Sequence, residues 1–184
     1  MKMLIAIAVV LFVGANCIAG DKVEDLLSKL SHSKNESERV DIISRELWAI
    51  DDPRIEEDFM KKLTSNPTRE DYYIAQYLAK KGVVKAMAIL CANSSKYPIS
   101  SLQWAYTLKE FGIHKYEPAI PFLIDGLGAA SLNVVDEAFH ALRVFYPESP
   151  SDFSSIQEMK TYFENMYDAA NRRIRTEPSQ APGR

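Results

Sequence analysis

Histidine is the side chain that titrates, ligates metals and moves protons near neutral pH, so the three histidines come first. His32 lies in a polar break, His114 in a linker and His140 inside a helical pattern. Glu137-Ala-Phe-His140 has the i, i+3 spacing that puts a carboxylate and an imidazole on one helix face, with Asp136 four residues before the histidine. Carboxylate-bridged di-iron bundles use that motif twice and add two further glutamates. This chain has one copy, flanked by Ala138 and Leu142 on an apolar stripe, so His140 reads as a helix-boundary residue and no metal is expected. There is no His-Glu-x-x-His, no phosphate-cradling loop and no Gly-x-Ser-x-Gly turn, and no cofactor is expected. Tyr72, Tyr73, Tyr97, Trp104, Tyr106 and Tyr116 are the residue types of a carbohydrate or aromatic-ligand surface, but at helical spacing such rings usually belong to a core.

The two cysteines carry little chemistry. Cys91 sits in the apolar run Ala86-Met-Ala-Ile-Leu-Cys91, where a buried small hydrophobe is expected rather than a reactive thiol. Cys17 belongs to an N-terminal segment with its own logic. Lys2 supplies a positive charge, Leu4 to Val13 is an uncharged apolar run, and small residues lead to the first acid at Asp21. That is the pattern of a secretory signal peptide, too short in its apolar core to span a bilayer. The expectation is a cleaved segment 1–20, cut near Ala19 or Gly20, and a secreted or periplasmic product. Lipidation at Cys17 is disfavoured, because Asn16 is a poor match to the small residue a lipobox wants there. With Cys17 removed, one cysteine cannot form an internal disulfide.

Cleavage leaves about 164 residues, one domain's worth, with the formal charge moving from -3 to -4. The signs are mixed along the chain and no basic stripe exists, so nucleic acid is not an expected partner. No integral membrane segment is expected after cleavage.

The elements that must position any site are helices. Asp21 to Leu30 shows Val23, Leu26, Leu27 and Leu30, an i, i+3, i+4, i+7 stripe. Glu36 to Ile50 follows with Val40, Ile43 and Leu47. Asp52 as N-cap and Pro53 at the first helical position open the next helix, which presents Ile55, Phe59, Met60 and Leu63. Thr68 caps a helix through Tyr73, Ile74, Tyr77 and Leu78 that Gly82 closes. Val83 to Ala92 is next, and Pro98 or Ser100 opens a helix through Leu102, Trp104, Ala105, Leu108 and Phe111, ending at Gly112. Pro118 begins another through Ile120, Leu123, Ile124 and Leu127, weakened at its end by Gly126 and Gly128. Ser131 starts a helix through Val134, Val135, Ala138, Leu142 and Phe145. Ser151 or Asp152 caps a last, long one bearing Phe153, Ile156, Met159, Phe163, Met166 and Tyr167, fading by Arg173. No window alternates as a strand would, so the fold class is all-α. The helical domain is expected over 21–174, with 175–184 a disordered tail.

A period runs through these helices. Aligning on Leu47, Leu78, Leu108 and Leu142 gives spacings of 31, 30 and 34 residues. Four residues before each stands Ile43, Ile74, Trp104 or Ala138; three before stands Ser44, Ala75, Ala105 or Phe139. Tyr116-Glu-Pro-Ala-Ile-Pro-Phe-Leu-Ile-Asp-Gly-Leu127, followed by Val134-Val-Asp-Glu-Ala-Phe-His-Ala-Leu142, resembles the HEAT-repeat family, in particular its phycobilin-lyase type. The likeness is clearest over Ser101–Tyr146 and looser upstream. The Asp-x-x-Val-Arg that usually starts a first helix is represented only by Asn133-Val-Val-Asp136, without the arginine.

The resemblance implies a short right-handed α/α solenoid of about four helical hairpins with helical caps at both ends. It implies a non-enzymatic scaffold binding a protein partner on a concave face lined by second helices. Arg54, Glu57, Lys61, Lys85 and Asp125 are the candidate binding residues there. The alternative it implies is a small lyase-like enzyme or ligand carrier with a pocket on that face. Phycobilin lyases work in the cytoplasm, against the export pattern here. HEAT-type deoxyhypusine hydroxylases use paired His-Glu dipeptides, of which this chain has none.

Overall fold

The computed structural model describes residues 22–64, 68–93 and 102–176. The expected signal segment, Tyr97, Pro98, Ser100 and the tail beyond Thr176 lie outside them. Among the described residues every regular element is helical and there is no strand. The elements are α1 (22–32), α2 (Glu36–Asp41, continued by a π-helical stretch Ile42–Leu47), α3 (Pro53–Lys62), α4 (Arg69–Lys80), α5 (Val84–Ala92) and α6 (Leu102–Ile113). A 3-10 turn, Glu117–Ala119, leads into α7 (Ile120–Gly126), followed by α8 (Leu132–Phe145) and α9 (Ile156–Thr176).

Punctuation residues set most boundaries. Asn35 Oδ1 accepts the Ser37 N–H at 2.9 Å, and Asp52 Oδ1 accepts that of Arg54 at 3.0 Å with Pro53 at the first helical position. Thr68 and Asp71 form a reciprocal box: the Asp71 carboxylate accepts the Thr68 N–H at 2.9 Å, and the Thr68 hydroxyl accepts the Asp71 N–H at 3.3 Å. Gly82 ends α4 at φ +79°, a conformation that L side chains avoid. The last helix departs from expectation. It begins at Ile156, not at Ser151 or Asp152, because Ser155 Oγ accepts the Glu158 N–H at 3.1 Å while the Glu158 carboxylate accepts the Ser154 N–H at 2.9 Å. It also runs on to Thr176.

The chain divides into two compact units, Met1–Leu78 and Ala79–Arg184. In the first, α1 buries Val23, Leu26 and Leu30, and α3 buries Ile55, Phe59 and Leu63. Met60, expected on that stripe, is exposed. In the π-helical stretch Ile42, Ile43 and Leu47 are buried. A π turn rotates each residue less than an α turn, which lets the adjacent Ile42 and Ile43 both lie inward. Tyr77 is the polar pin of this core. Its ring meets Phe59 edge-on at 5.1 Å and its hydroxyl donates to the Ile50 carbonyl at 2.9 Å.

In the second unit the most extensive packing is α6 against α8, with α7 packed on α8 and α9. Trp104, Leu108 and Phe111 of α6 and Val134, Ala138 and Leu142 of α8 are buried. Gly112 is a contact point and not the end of α6, which continues through Ile113. A Cβ at Gly112 would lie 2.7 Å from the Ala141 Cβ and 2.8 Å from its Cα. Gly126 is similar, a Cβ there meeting Leu108 Cδ1 at 2.9 Å and Ala138 Cβ at 3.0 Å. Phe163 of α9 is fully buried and gathers Phe139, Tyr146 and Phe153, the last from before the helix and not on it.

The two glycine contacts differ in what must give way. At Gly112 the obstacle is backbone, whereas at Gly126 the Leu108 tip can turn aside. Gly112→Ala is expected to cost about 1–3 kcal/mol in urea denaturation by overpacking, and Gly126→Ala less. Equal, negligible losses at both sites would show that the close crossing is not a constraint.

Candidate functional site

On α6, Leu102, Tyr106, Lys109 and Ile113 stand at i, i+4, i+7 and i+11, one side of a helix. On α8, Glu137, His140 and Val144 share a side in the same way. The close crossing at Gly112 sets these two sides next to each other. A groove of about 210 Å3 runs there, lined by Lys109, Gly112, Ile113, Glu137, His140 and Val144. Four large apolar side chains on these two helix sides face solvent: Leu102 is 54% exposed, Tyr106 52%, Ile113 57% and Val144 43%. Single exposed apolar residues are ordinary; four on adjoining helix sides, two of them lining the groove, mark an interaction surface. Lys109 and Glu137 place one charge of each sign beside it.

On the inner side of α6, His114 is not a free linker residue. Its Nε2 lies 3.2 Å from the Lys80 carbonyl and 3.7 Å from Glu110 Oε2, and its ring lies where a Cβ at Gly82 would sit 3.0 Å away. The imidazole thus ties α6 to the turn after α4. Burial raises the Glu110 carboxyl above the usual carboxylate range, with His114, Lys109 and Lys80 drawing it back and Glu137 adding to the rise.

The five expected binding residues are all exposed. Arg54, Glu57 and Lys61 share one side of α3 at i, i+3 and i+7. The Arg54 guanidinium grips the capping Asp52, Nε at 3.0 Å and Nη2 at 2.8 Å. Glu57 and Lys61 line a hollow of about 580 Å3 with Pro53, Glu56 and Met60. Lys85 and Asp125 stand on separate helices of the second unit, α5 and α7. A larger hollow of about 720 Å3 in the first unit holds Glu36, Arg39, Lys62, Glu70 and Asp71. There Arg39 Nε donates to Glu70 and its Nη1 to the Ser33 carbonyl, while Lys62 pairs with Asp58 at 2.7 Å. The Arg39–Glu70 pair ties α2 to α4, whereas the Lys62–Asp58 pair lies within α3.

Other candidate chemistry disperses. His140 is exposed and His32 bonds within its own helix end, with Nδ1 2.7 Å from the Ser28 carbonyl. Among the described residues no three His, Cys, Asp or Glu side chains come together as metal ligands, and no helix is long and apolar enough to cross a membrane. Burial pushes the Cys91 thiol up to about 12. That leaves almost no thiolate to react at neutral pH. Tyr72 and Trp104 are core residues, Tyr73 and Tyr116 half-buried, and Tyr106 exposed, so these rings do not form one surface. Asn93 is buried and donates to the Ile89 carbonyl at 2.9 Å.

No family model, curated protein or solved structure matches the chain. The α6–α8 row is not evident from the sequence alone, where Leu102 and Tyr106 both read as core residues at helical spacing, yet both are exposed. The signal was present in α6 itself, whose apolar residues occupy two sides, one through Trp104, Leu108 and Phe111 and one through Leu102, Tyr106 and Ile113.

A carboxyl whose folded pKa is raised binds its proton more tightly when folded, so stability falls as pH rises through that range. Glu110→Gln removes this dependence. Between about pH 4 and about pH 7 the variant is expected to gain on the wild type in urea denaturation. A variant that loses ground with rising pH would show that the His114 contact outweighs burial.

Proposed function

We propose that the protein is an exported, HEAT-like helical-repeat module that binds a protein partner and catalyses no reaction. The observation that carries the binding part is the set Leu102, Tyr106, Ile113 and Val144 on α6 and α8, four large apolar side chains held in water, of which Ile113 and Val144 line the groove. A folded chain keeps such a row out of its own core while fixing it on two rigid helices, which suits docking of an amphipathic segment by its apolar side. The repeat reading is supported by the packing order, since α6 lies on α8 and α7 on α9. First helices stacking on first and second on second is how hairpins add to a solenoid. The buried positions Leu47, Leu78, Leu108 and Leu142 keep the period. The right-handed arrangement of about four hairpins extends that order along the chain. Export rests on the pattern of residues 1–20.

In this reading the charged side chains Arg54, Glu57, Lys61, Lys85 and Asp125 belong to the second helices and border a concave side. The partner docks on the α6–α8 row, and these charges tune approach more than affinity, as charges at an interface rim do.

Affinity capture from the native envelope fraction tests the assignment, with each bait checked for wild-type helicity. Tyr106→Glu and Ile113→Asp are expected to lose a partner that the wild-type bait enriches. Losing an interface anchor costs about 2 kcal/mol or more. Lys61→Ala, Lys85→Ala and Asp125→Ala should retain it. If the alanine variants lose the partner and the α6 variants keep it, the docking side is the charged one.

A further inference from the structure

We propose that the cleft between the end of α8, the start of α7 and α9 is a binding site for a trimethylammonium group. The cleft has a volume of about 450 Å3, enough for a small molecule, and is lined by Glu117, Pro118, Phe145, Tyr146, Tyr167 and Asn171, among others. Three of these residues are aromatic and each is half-exposed, so ring surface is available to a ligand. One carboxylate, Glu117, stands with them, and among the described side chains no Lys or Arg lines the cleft. Ring faces carry negative electrostatic potential, and a cluster of them with one acid favours an organic cation over a neutral or anionic guest.

The backbone favours the same sign of charge. Phe145 is the last residue of α8 and Tyr146 its C-cap, whose N–H donates to the Leu142 carbonyl at 2.9 Å. The negative end of the α8 dipole therefore lies at the cleft. The start of α7 would oppose it with free N–H groups, but Pro121 removes one and the Ile120 N–H donates to the Glu117 carbonyl. On α9, the helical period puts positions 172 and 173 on the half of the helix away from Tyr167 and Asn171, and position 175 on their side one turn beyond Asn171. Burial raises the Tyr146 phenol, and Tyr167 and Glu117 raise it further, which places the two rings and the carboxylate within electrostatic reach of one another. A quaternary ammonium suits these partners better than a primary amine. It needs no hydrogen-bond acceptors in return for its lost water, and its methyl groups lie against rings.

A trimethylammonium group can arrive on a free metabolite-sized molecule or on a lipid headgroup, and one experiment separates the two. The full chain is titrated with choline, with its neutral isostere 3,3-dimethylbutan-1-ol and with phosphatidylcholine vesicles, while the Tyr146 and Tyr167 ring signals are followed by NMR. Choline is expected to shift both rings and to bind at least about tenfold more tightly than the neutral alcohol. Glu117→Gln and Tyr167→Leu should each weaken choline about fivefold without altering the melting temperature. Binding seen with vesicles alone, and lost in Glu117→Gln, assigns the group to a lipid headgroup. Equal binding of choline and the alcohol overturns the proposal, as does the absence of ring shifts with both choline and vesicles.

Discussion

The missing Cβ of Gly112 is the constraint on which the second unit depends. With nothing larger than a hydrogen there, the α6 backbone comes within van der Waals contact of Ala141, and α6 and α8 pack along their length. That approach buries Trp104, Leu108 and Phe111 on one side of α6. It also leaves beside α8 a groove lined by Lys109, Ile113, Glu137, His140 and Val144. Gly126 repeats the device one helix later, bringing α7 onto Leu108 and Ala138. Small residues at helix crossings therefore decide both what is hidden and what is displayed.

The displayed side is apolar where it might have been charged, and this gives the account its functional direction. Leu102, Tyr106 and Ile113 cost the chain exposed hydrophobic surface, a liability for solubility that is offset when a partner covers it. Ion pairs elsewhere serve the fold. Arg54 holds its own N-cap, Arg39 ties α2 to α4, and His114 clamps the turn after α4. The aromatic cleft at Tyr146 and Tyr167 lies at a different place on α8, so a partner on the groove and a small cation in the cleft do not compete for the same residues.

Much of the helical order was legible because local chemistry wrote it. Asp52-Pro53, Thr68 with Asp71, and Gly82 act within a few residues of themselves and sit where their side chains predict. The leucines at the repeat positions are buried for the same reason, a stripe being a local signal. The misreadings share one cause. Gly112 resembles a helix end in sequence, yet its role is set by Ala141 on another helix; Gly126 does end α7 and also meets Leu108 and Ala138. Ser151, Asp152, Ser154 and Ser155 are all competent caps, and Glu158 decides between them by pairing with Ser154 and Ser155, just after Phe153 joins the rings around Phe163. Leu102 and Met60 are apolar by type and exposed by phase. The site suffered most: Arg54, Glu57 and Lys61 do share a side of α3, but the α6–α8 row needs two helices to be seen as one surface.

Cysteine footprinting tests the central claim most directly, because the native Cys91 thiol, held up to about 12, contributes little background. Single substitutions Tyr106→Cys, Ile113→Cys and Lys61→Cys are alkylated with and without the captured partner, and peptide masses separate each position from Cys91. The account predicts that the partner slows alkylation at positions 106 and 113 by at least about tenfold and leaves position 61 unchanged. Unchanged alkylation at 106 and 113 with the partner bound would contradict it.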